Sequence, residues 1–274
     1  MTRTPDDLTI QPRQPEFGRN ERFARWWLGG DPIGTAFYNA LSVTFPQGER
    51  FFIDSVRHYR DRAPARLKEQ IAAFTAQESM HSREHIAFNR QVTDNGYDIS
   101  GMEAREARLI EMDKRAPHAV QLAATAALEH FTAILAHALL SNPRHLAGAS
   151  PEAARLWRWH AMEEIEHKAV AFDTFITTVR GGPVGRYLLR CLIMLTATVT
   201  FNIEIGWNIA DFFRQDGLNR PKSWLKLLRF LYVSPGLMRG VLGAYLSYYR
   251  PGFHPWQVDD RHLLAGVQAE LGAA

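Results

Sequence analysis

The sequence predicts an all-α fold in which four long helices form a bundle around a dinuclear metal centre, and three observations carry that expectation. A carboxylate followed three residues later by a histidine occurs twice, in Glu78-Ser79-Met80-His81 and in Glu164-Ile165-Glu166-His167. Each copy follows a helix-like segment with one conspicuous glutamate, Glu49 in one case and Glu129 in the other. The segment AVQLAATAALEHFTAILAHALL, from Ala119 to Leu140, has no formal charge except Glu129 at its centre. Positions three apart on a helix share a face, so each pair can aim one oxygen and one nitrogen at a common point. A lone buried carboxylate neutralises or finds a cation, and a divalent metal is the strongest cation for it.

Taken in order, residues 1–22 form a polar, proline-containing arm expected to be flexible, and 23–274 form one helical domain. The apolar, aromatic stretch from Trp26 to Phe45 is broken by Gly29, Gly30 and Pro32, which predicts a loop and then a helix ending near Pro46. A second helix is expected from about Gly48, with Phe51, Phe52, Val56 and Tyr59 on a 3.6-residue period. Pro64 opens a long helix that Asn95-Gly96 stops. A charged surface helix from Met102 to Lys114 follows, then a helix opened by Pro117 and closed by Asn142-Pro143. Ser150-Pro151 starts the fourth long helix, serine as N-cap and proline at the first helical position, running to about Val179.

The metal-binding bundle is thus expected over about 47–180 and apolar C-terminal helices over about 184–274. Twenty-nine positions separate Glu49 from Glu78, 35 separate Glu129 from Glu164, and 51 separate Glu78 from Glu129. Two helical hairpins joined by a longer crossover account for that inequality, as in ferritin-like bundles. In the last third, Cys191 to Ile203 is an uncharged run of 13 residues. That falls short of the roughly 18 needed to suggest a spanning helix, so covering helices are expected there, with an interfacial patch or a lipophilic substrate tunnel as the alternative.

The candidate metal ligands are Glu49, Glu78, His81, Glu129, His160, Glu164 and His167. Glu49 taken alone reads as well as a helix first-turn carboxylate, and its case rests on the other motifs. His160, Glu164 and His167 occupy positions i, i+4 and i+7 and form one stripe; the alternative for His160 is a core histidine among Trp157 and Trp159. Glu163 is expected to hydrogen-bond the far nitrogen of a ligand histidine and fix its tautomer, with Gln77 in the matching place beside Glu78. His85, one turn beyond His81, reads as an alternate ligand or a supporting group. Four glutamates balance two ferrous ions with neutral histidines, and carboxylate with imidazole suits iron or manganese, although ligand type alone also admits zinc.

The chain has 274 residues, 46% hydrophobic and 22% charged, with net charge +3, and its Lys and Arg are spread without a dense basic block. Nucleic acid is therefore not an expected partner. Cys191 is the only cysteine, which rules out an intrachain disulfide or thiolate cluster and fits a cytoplasmic protein, with peripheral membrane association as a further expectation. No glycine-rich phosphate loop, serine nucleophile elbow or dinucleotide fingerprint is present.

The segments WWLGGDP, GERFF (Gly48 to Phe52), QESMHSREH (Gln77 to His85), LEHFTA (Leu128 to Ala133), HAMEEIEHKAVAFD (His160 to Asp173) and RPGFHPW (Arg250 to Trp256) resemble the bacterial predicted metal-dependent hydrolases with a ferritin-like fold. The resemblance covers most of the chain and implies a hydrolytic activity. The ligand motifs alone, with His160 as a third histidine, are also similar to the di-iron site of p-aminobenzoate N-oxygenase, which implies oxygen activation. The leading expectation is a non-haem di-iron oxygenase or oxidase acting on a small or lipophilic organic substrate with dioxygen, its electron donor not identified. A metal-dependent hydrolase using a metal-activated water is the alternative, and a non-catalytic iron-binding or ferroxidase-like protein is a third. The residues do not fix the oligomeric state, and a homodimer is one assembly they leave open.

Overall fold

A computed structural model describes residues 4–19 and 21–272. Among them the regular structure is helical, with one isolated bridge between Leu28 and Ala149. The helices are α1 (Pro32–Arg57), α2 (Ala65–Asp94), α3 (Ser100–Asp113), α4 (His118–Ser141), α5 (Pro151–His167), α6 (Val170–Thr178), α7 (Pro183–Gln215), α8 (Pro221–Tyr232), α9 (Val241–Ser247) and α10 (Arg261–Gly272). The architecture is a ferritin-like bundle in which α1 packs on α2 and α4 on α5, the pairs meeting through α1 with α4 and α2 with α5. α3 lies in the crossover against α1, and α7 packs across α1 and α4.

The entry to α1 follows from its sequence. Gly29 and Gly30 take positive φ in the turn, Pro32 stands at the first helical position, and the Asp31 carboxylate accepts from the backbone N–H of Ile33 and Gly34 at 2.9 and 3.1 Å. Gly34 is required by close approach, since a Cβ there would stand 2.6 Å from Leu28 and 2.8 Å from the Phe230 ring.

Pro46 does not end the first helix, and no new helix starts at Gly48: α1 runs through both as one rod. A proline inside a helix leaves the carbonyl four residues earlier without its donor. Here that carbonyl belongs to Ser42, and Asn89 of α2 donates its side-chain amide to it at 3.1 Å. The neighbouring helix thus supplies the missing bond, a substitution that local sequence rules cannot register.

The fourth long helix departs in the opposite sense, because it breaks at Lys168 and Ala169 into α5 and α6. Lys168 is buried at the break and donates to Asp260 Oδ2 at 2.6 Å and to the Val258 carbonyl at 2.8 Å. Ser150 does stand at the N-cap of α5, but its side chain makes no capping bond. The run from Cys191 to Ile203 is the middle of α7, which is 33 residues long, while the stretch from Trp224 to Tyr249 divides into α8 and α9. By length and composition α4 and α7 could each cross a membrane, but the apolar window of α4 is 67% buried and that of α7 only 28%. α4 is a core helix, whereas α7 leaves an apolar face outside.

The N-terminal segment, expected to be a flexible arm, packs along the bundle in its described part. Ile10 and Phe17 are buried, the Phe17 N–H donates to Glu84 at 2.9 Å, and Thr4 donates to Asp173 at 2.7 Å.

Replacing Asn89 by Leu should leave the Ser42 carbonyl without a donor and cost about 1–3 kcal/mol in urea unfolding. Adding Pro46→Ala, which restores a backbone N–H opposite that carbonyl, should recover part of the loss.

Candidate metal centre

Four helices each deliver one part of the cluster. α1 presents Glu49, α2 presents Glu78 and His81, α4 presents Glu129, and α5 presents His160, Glu164 and His167. All seven side chains are buried, Glu78, His81 and His167 completely. The structure brings these seven predicted positions together, and Gln77, Glu163 and His85 stand directly behind them.

Donor atoms converge in three overlapping groups: Glu49 with His81 and His160, Glu78 with His81 and Glu164, and Glu78 with Glu129 and His167. Within each group the atoms lie inside 4.8 Å of one another, so each could hold a metal ion. Glu164 Oε1 is 2.9 Å from His160 Nε2, 3.4 Å from His81 Nδ1 and 3.6 Å from His167 Nε2. Glu78 Oε1 lies 3.1 Å from His167 Nε2 and 3.8 Å from His81 Nδ1. Glu78 and Glu164 are therefore central, with Glu49, His81 and His160 to one side and Glu129 and His167 to the other.

His167 and His160 are each held from behind by a hydrogen bond to their other ring nitrogen. Gln77 donates its amide to Glu166 Oε2 at 2.8 Å, so its Oε1 accepts from His167 Nδ1–H at 2.9 Å and Nε2 points into the cluster. Ser42 donates to Asn89 Oδ1 at 2.6 Å, so His85 donates from Nδ1 to Ser42 at 2.8 Å. His85 Nε2 then accepts from His160 Nδ1–H at 2.6 Å, which leaves His160 Nε2 facing Glu164. For His81 the rear neighbour is Glu163, whose Oε2 lies 3.2 Å from Nε2 while its Oε1 accepts from Arg13 at 2.9 Å. Of the two adjacent glutamates, Glu164 faces inward and Glu163 stands behind.

Several groups in this supporting layer carry no sequence signal. Arg13 comes from the N-terminal segment and bridges Glu163 and Glu166. Ser42 and Asn89 lie on different helices, and Ser82 donates to Glu49 Oε2 at 2.9 Å. Only Glu166 had an adjacent clue, its place beside His167.

Burial raises the carboxyl groups of Glu49, Glu78 and Glu129 above the usual range, because charge is disfavoured away from water. Burial pushes Glu164 the same way, but the surrounding histidines together outweigh it and hold Glu164 well below that range. For His81 and His167, burial opposes the imidazolium, yet the facing carboxylates win and raise both well above normal. Burial lowers His85 well below normal and His160 to about 4, each aided by neighbouring histidines.

A cavity of about 200 Å³ opens beside the cluster and is lined by Glu49, His160 and Glu164. Its remaining wall is mainly apolar, including Phe45, Phe51, Phe131 and Leu139. Glu106 of α3 and Glu204 of α7 also line it, each more than nine-tenths buried. Burial first, and then the hydrogen bond and charge of Glu204, push the Glu106 carboxyl up to about 10.

An acid whose folded pKa is raised binds more protons when folded, so its stabilising contribution is present below the ordinary range near 4.5 and is lost as pH climbs towards 10. Glu106→Gln keeps a donor towards Glu204 without that titration. Thermal unfolding of this variant should accordingly lose less stability between pH 5 and pH 8 than the parent chain does.

No curated protein and no solved structure matches the chain. The family described as predicted metal-dependent hydrolase does match, over residues 11–259. That match takes in α1 to α9 and every side chain of the cluster, and the chain belongs to this family.

Proposed function

We propose that the chain is a metal-dependent hydrolase whose dinuclear centre acts on an apolar substrate admitted through the cavity beside it. The observation that carries this reading is the set of buried donor atoms with no hydrogen-bond partner. Both oxygens of Glu78 and of Glu129, Glu49 Oε1, Glu164 Oε2, His81 Nδ1 and His167 Nε2 are all in that condition. Buried polar atoms left unpaired in such number are costly, and cations are the partners that carboxylate and imidazole accept together. Glu49, His81 and His160 would hold one ion, Glu129 and His167 the other, with Glu78 and Glu164 between them. Four carboxylates match the charge of two divalent ions, and no thiolate is present to select a softer metal.

Bound there, such a pair supplies Lewis acidity and a water of lowered pKa. The chain's own groups supply the rest. Gln77 and His85 orient His167 and His160, so that one nitrogen of each ring meets the centre. Phe45, Phe51 and Phe131 exclude bulk water from the approach. Because Glu49, His160 and Glu164 line the cavity, the substrate meets the centre from that side.

A second reading, oxidation of the same kind of substrate by dioxygen at two irons, rests on the same donor set, since four carboxylates with three imidazoles suit iron as well as zinc or manganese. Metal analysis of protein purified without added metal should find two ions per chain, lost in Glu129→Ala and His167→Ala. Cleavage of hydrophobic ester or amide substrates by the zinc- or manganese-loaded chain under strict anaerobiosis is the expected result. Turnover that demands iron and consumes oxygen would overturn the hydrolase in favour of the oxidase.

A further inference from the structure

We propose that Glu106 and Glu204 form a subsite for the protonated amine end of an otherwise apolar substrate, within the cavity that reaches the metal-facing side chains. This rests on the reading of the cavity as the substrate's place. Every formally charged side chain lining it is acidic: Glu49, Glu106, Asp113, Glu164 and Glu204. Among the described lining residues there is no Lys or Arg to receive a carboxylate or phosphate ester, and Glu106, Asp113 and Glu204 stand outside the donor groups able to hold a metal ion. Glu106 and Glu204 are 5% and 7% exposed, and Glu106 Oε2 and Glu204 Oε1 make no hydrogen bond. They belong to none of the donor groups able to hold a metal ion, so the cation that fits here is a hydrogen-bond donor with an apolar body. An alkylammonium presents three N–H groups to these oxygens and its chain to Leu109, Ile110, Phe201 and Leu237. The raised Glu106 carboxyl agrees, since burial and then the neighbouring Glu204 disfavour its charged form unless a cation is present.

Calorimetric titration of the full, metal-loaded chain at neutral pH with octylamine, octanol and octanoate tests the subsite. Octylamine should bind at least about tenfold more tightly than octanol, the factor expected of a hydrogen bond to a buried charge, and octanoate most weakly. Glu204→Gln and Glu106→Gln should each abolish the preference for the amine while leaving the helical spectrum and metal content unchanged. Equal affinity for amine and alcohol, or a preference that survives both variants, would overturn the subsite. A chain that selects octylamine through Glu204 but retains no metal would leave the subsite standing and remove the hydrolase instead.

A separate observation carries a second inference: the geometry points to the outer face of α7 as a docking surface for an anionic lipid bilayer. Leu188, Leu192, Leu195, Val199, Ile203 and Trp207 recur every three or four residues and are all exposed. The opposite face of α7 packs on α1 and α4, so the helix lies on a membrane and does not cross it. The charge of the partner follows from α8, held beside the end of α7 by Trp224 against Phe213 with ring centroids 5.4 Å apart. There the exposed Leu225, Leu228 and Tyr232 alternate with exposed Lys222, Lys226 and Arg229.

Co-sedimentation of the full chain with phosphatidylcholine vesicles, with and without phosphatidylserine, tests this surface. Binding should require phosphatidylserine, weaken with salt, and be lost in Leu192→Glu/Leu195→Glu, a surface change that leaves the helical spectrum intact. Lys222→Glu/Lys226→Glu should weaken it as well. No vesicle binding, or a stable dimer in centrifugation that the leucine variant dissociates, would overturn the proposal.

Discussion

The constraint on which this protein depends is the burial of four carboxylates and three imidazoles at the centre of a helical bundle. Such a cluster is stable only when opposite charges stand within a few ångströms, because the interior screens poorly and solvates ions weakly. Glu164 shows the effect most directly. Burial would neutralise it, but three histidines around one oxygen keep it ionised. Glu49, Glu78 and Glu129, with fewer cationic neighbours to set against burial, are all pushed towards the neutral acid.

The layer behind the cluster explains features that look incidental in isolation. Pro46 deprives the Ser42 carbonyl of its donor, Asn89 supplies one, and the same Ser42 and Asn89 hold His85 against His160. One chain of bonds therefore repairs the helix and orients a candidate ligand. On the far side, Arg13 joins Glu163 and Glu166, and Glu166 takes the Gln77 amide that fixes His167. The N-terminal segment is part of the site's support, and its packing follows from the charge it brings to two buried glutamates.

α7 shows how one helix can serve two surroundings. Its inner face places Glu204 and Phe201 on the cavity, whereas its outer face is a leucine-rich stripe open to solvent. The cavity it helps to wall is lined mainly by aromatic and aliphatic groups, with Glu106 and Glu204 among its acidic ones. An exposed apolar face on the same helix lies close to that cavity.

The sequence by itself determined the all-α class and pointed to two helical hairpins and seven candidate ligand positions, with His160 and Glu49 left open. Those rest on local periodicity: Glu-x-x-His places two donors on one face wherever the helix sits, and Glu129 in an uncharged run has to be explained by something cationic. It also placed Gln77 and Glu163 beside histidines, since adjacency on a helix is a local property. Only the tertiary structure decided that α1 continues through Pro46, that the fourth helix breaks at Lys168, and that Glu164 faces in while Glu163 faces Arg13. In each case the deciding partner is distant in the chain: Asn89 for Ser42, Asp260 for Lys168, Arg13 for Glu163. Short-range rules register which bonds a residue needs, but which remote group provides them is fixed only when the helices pack.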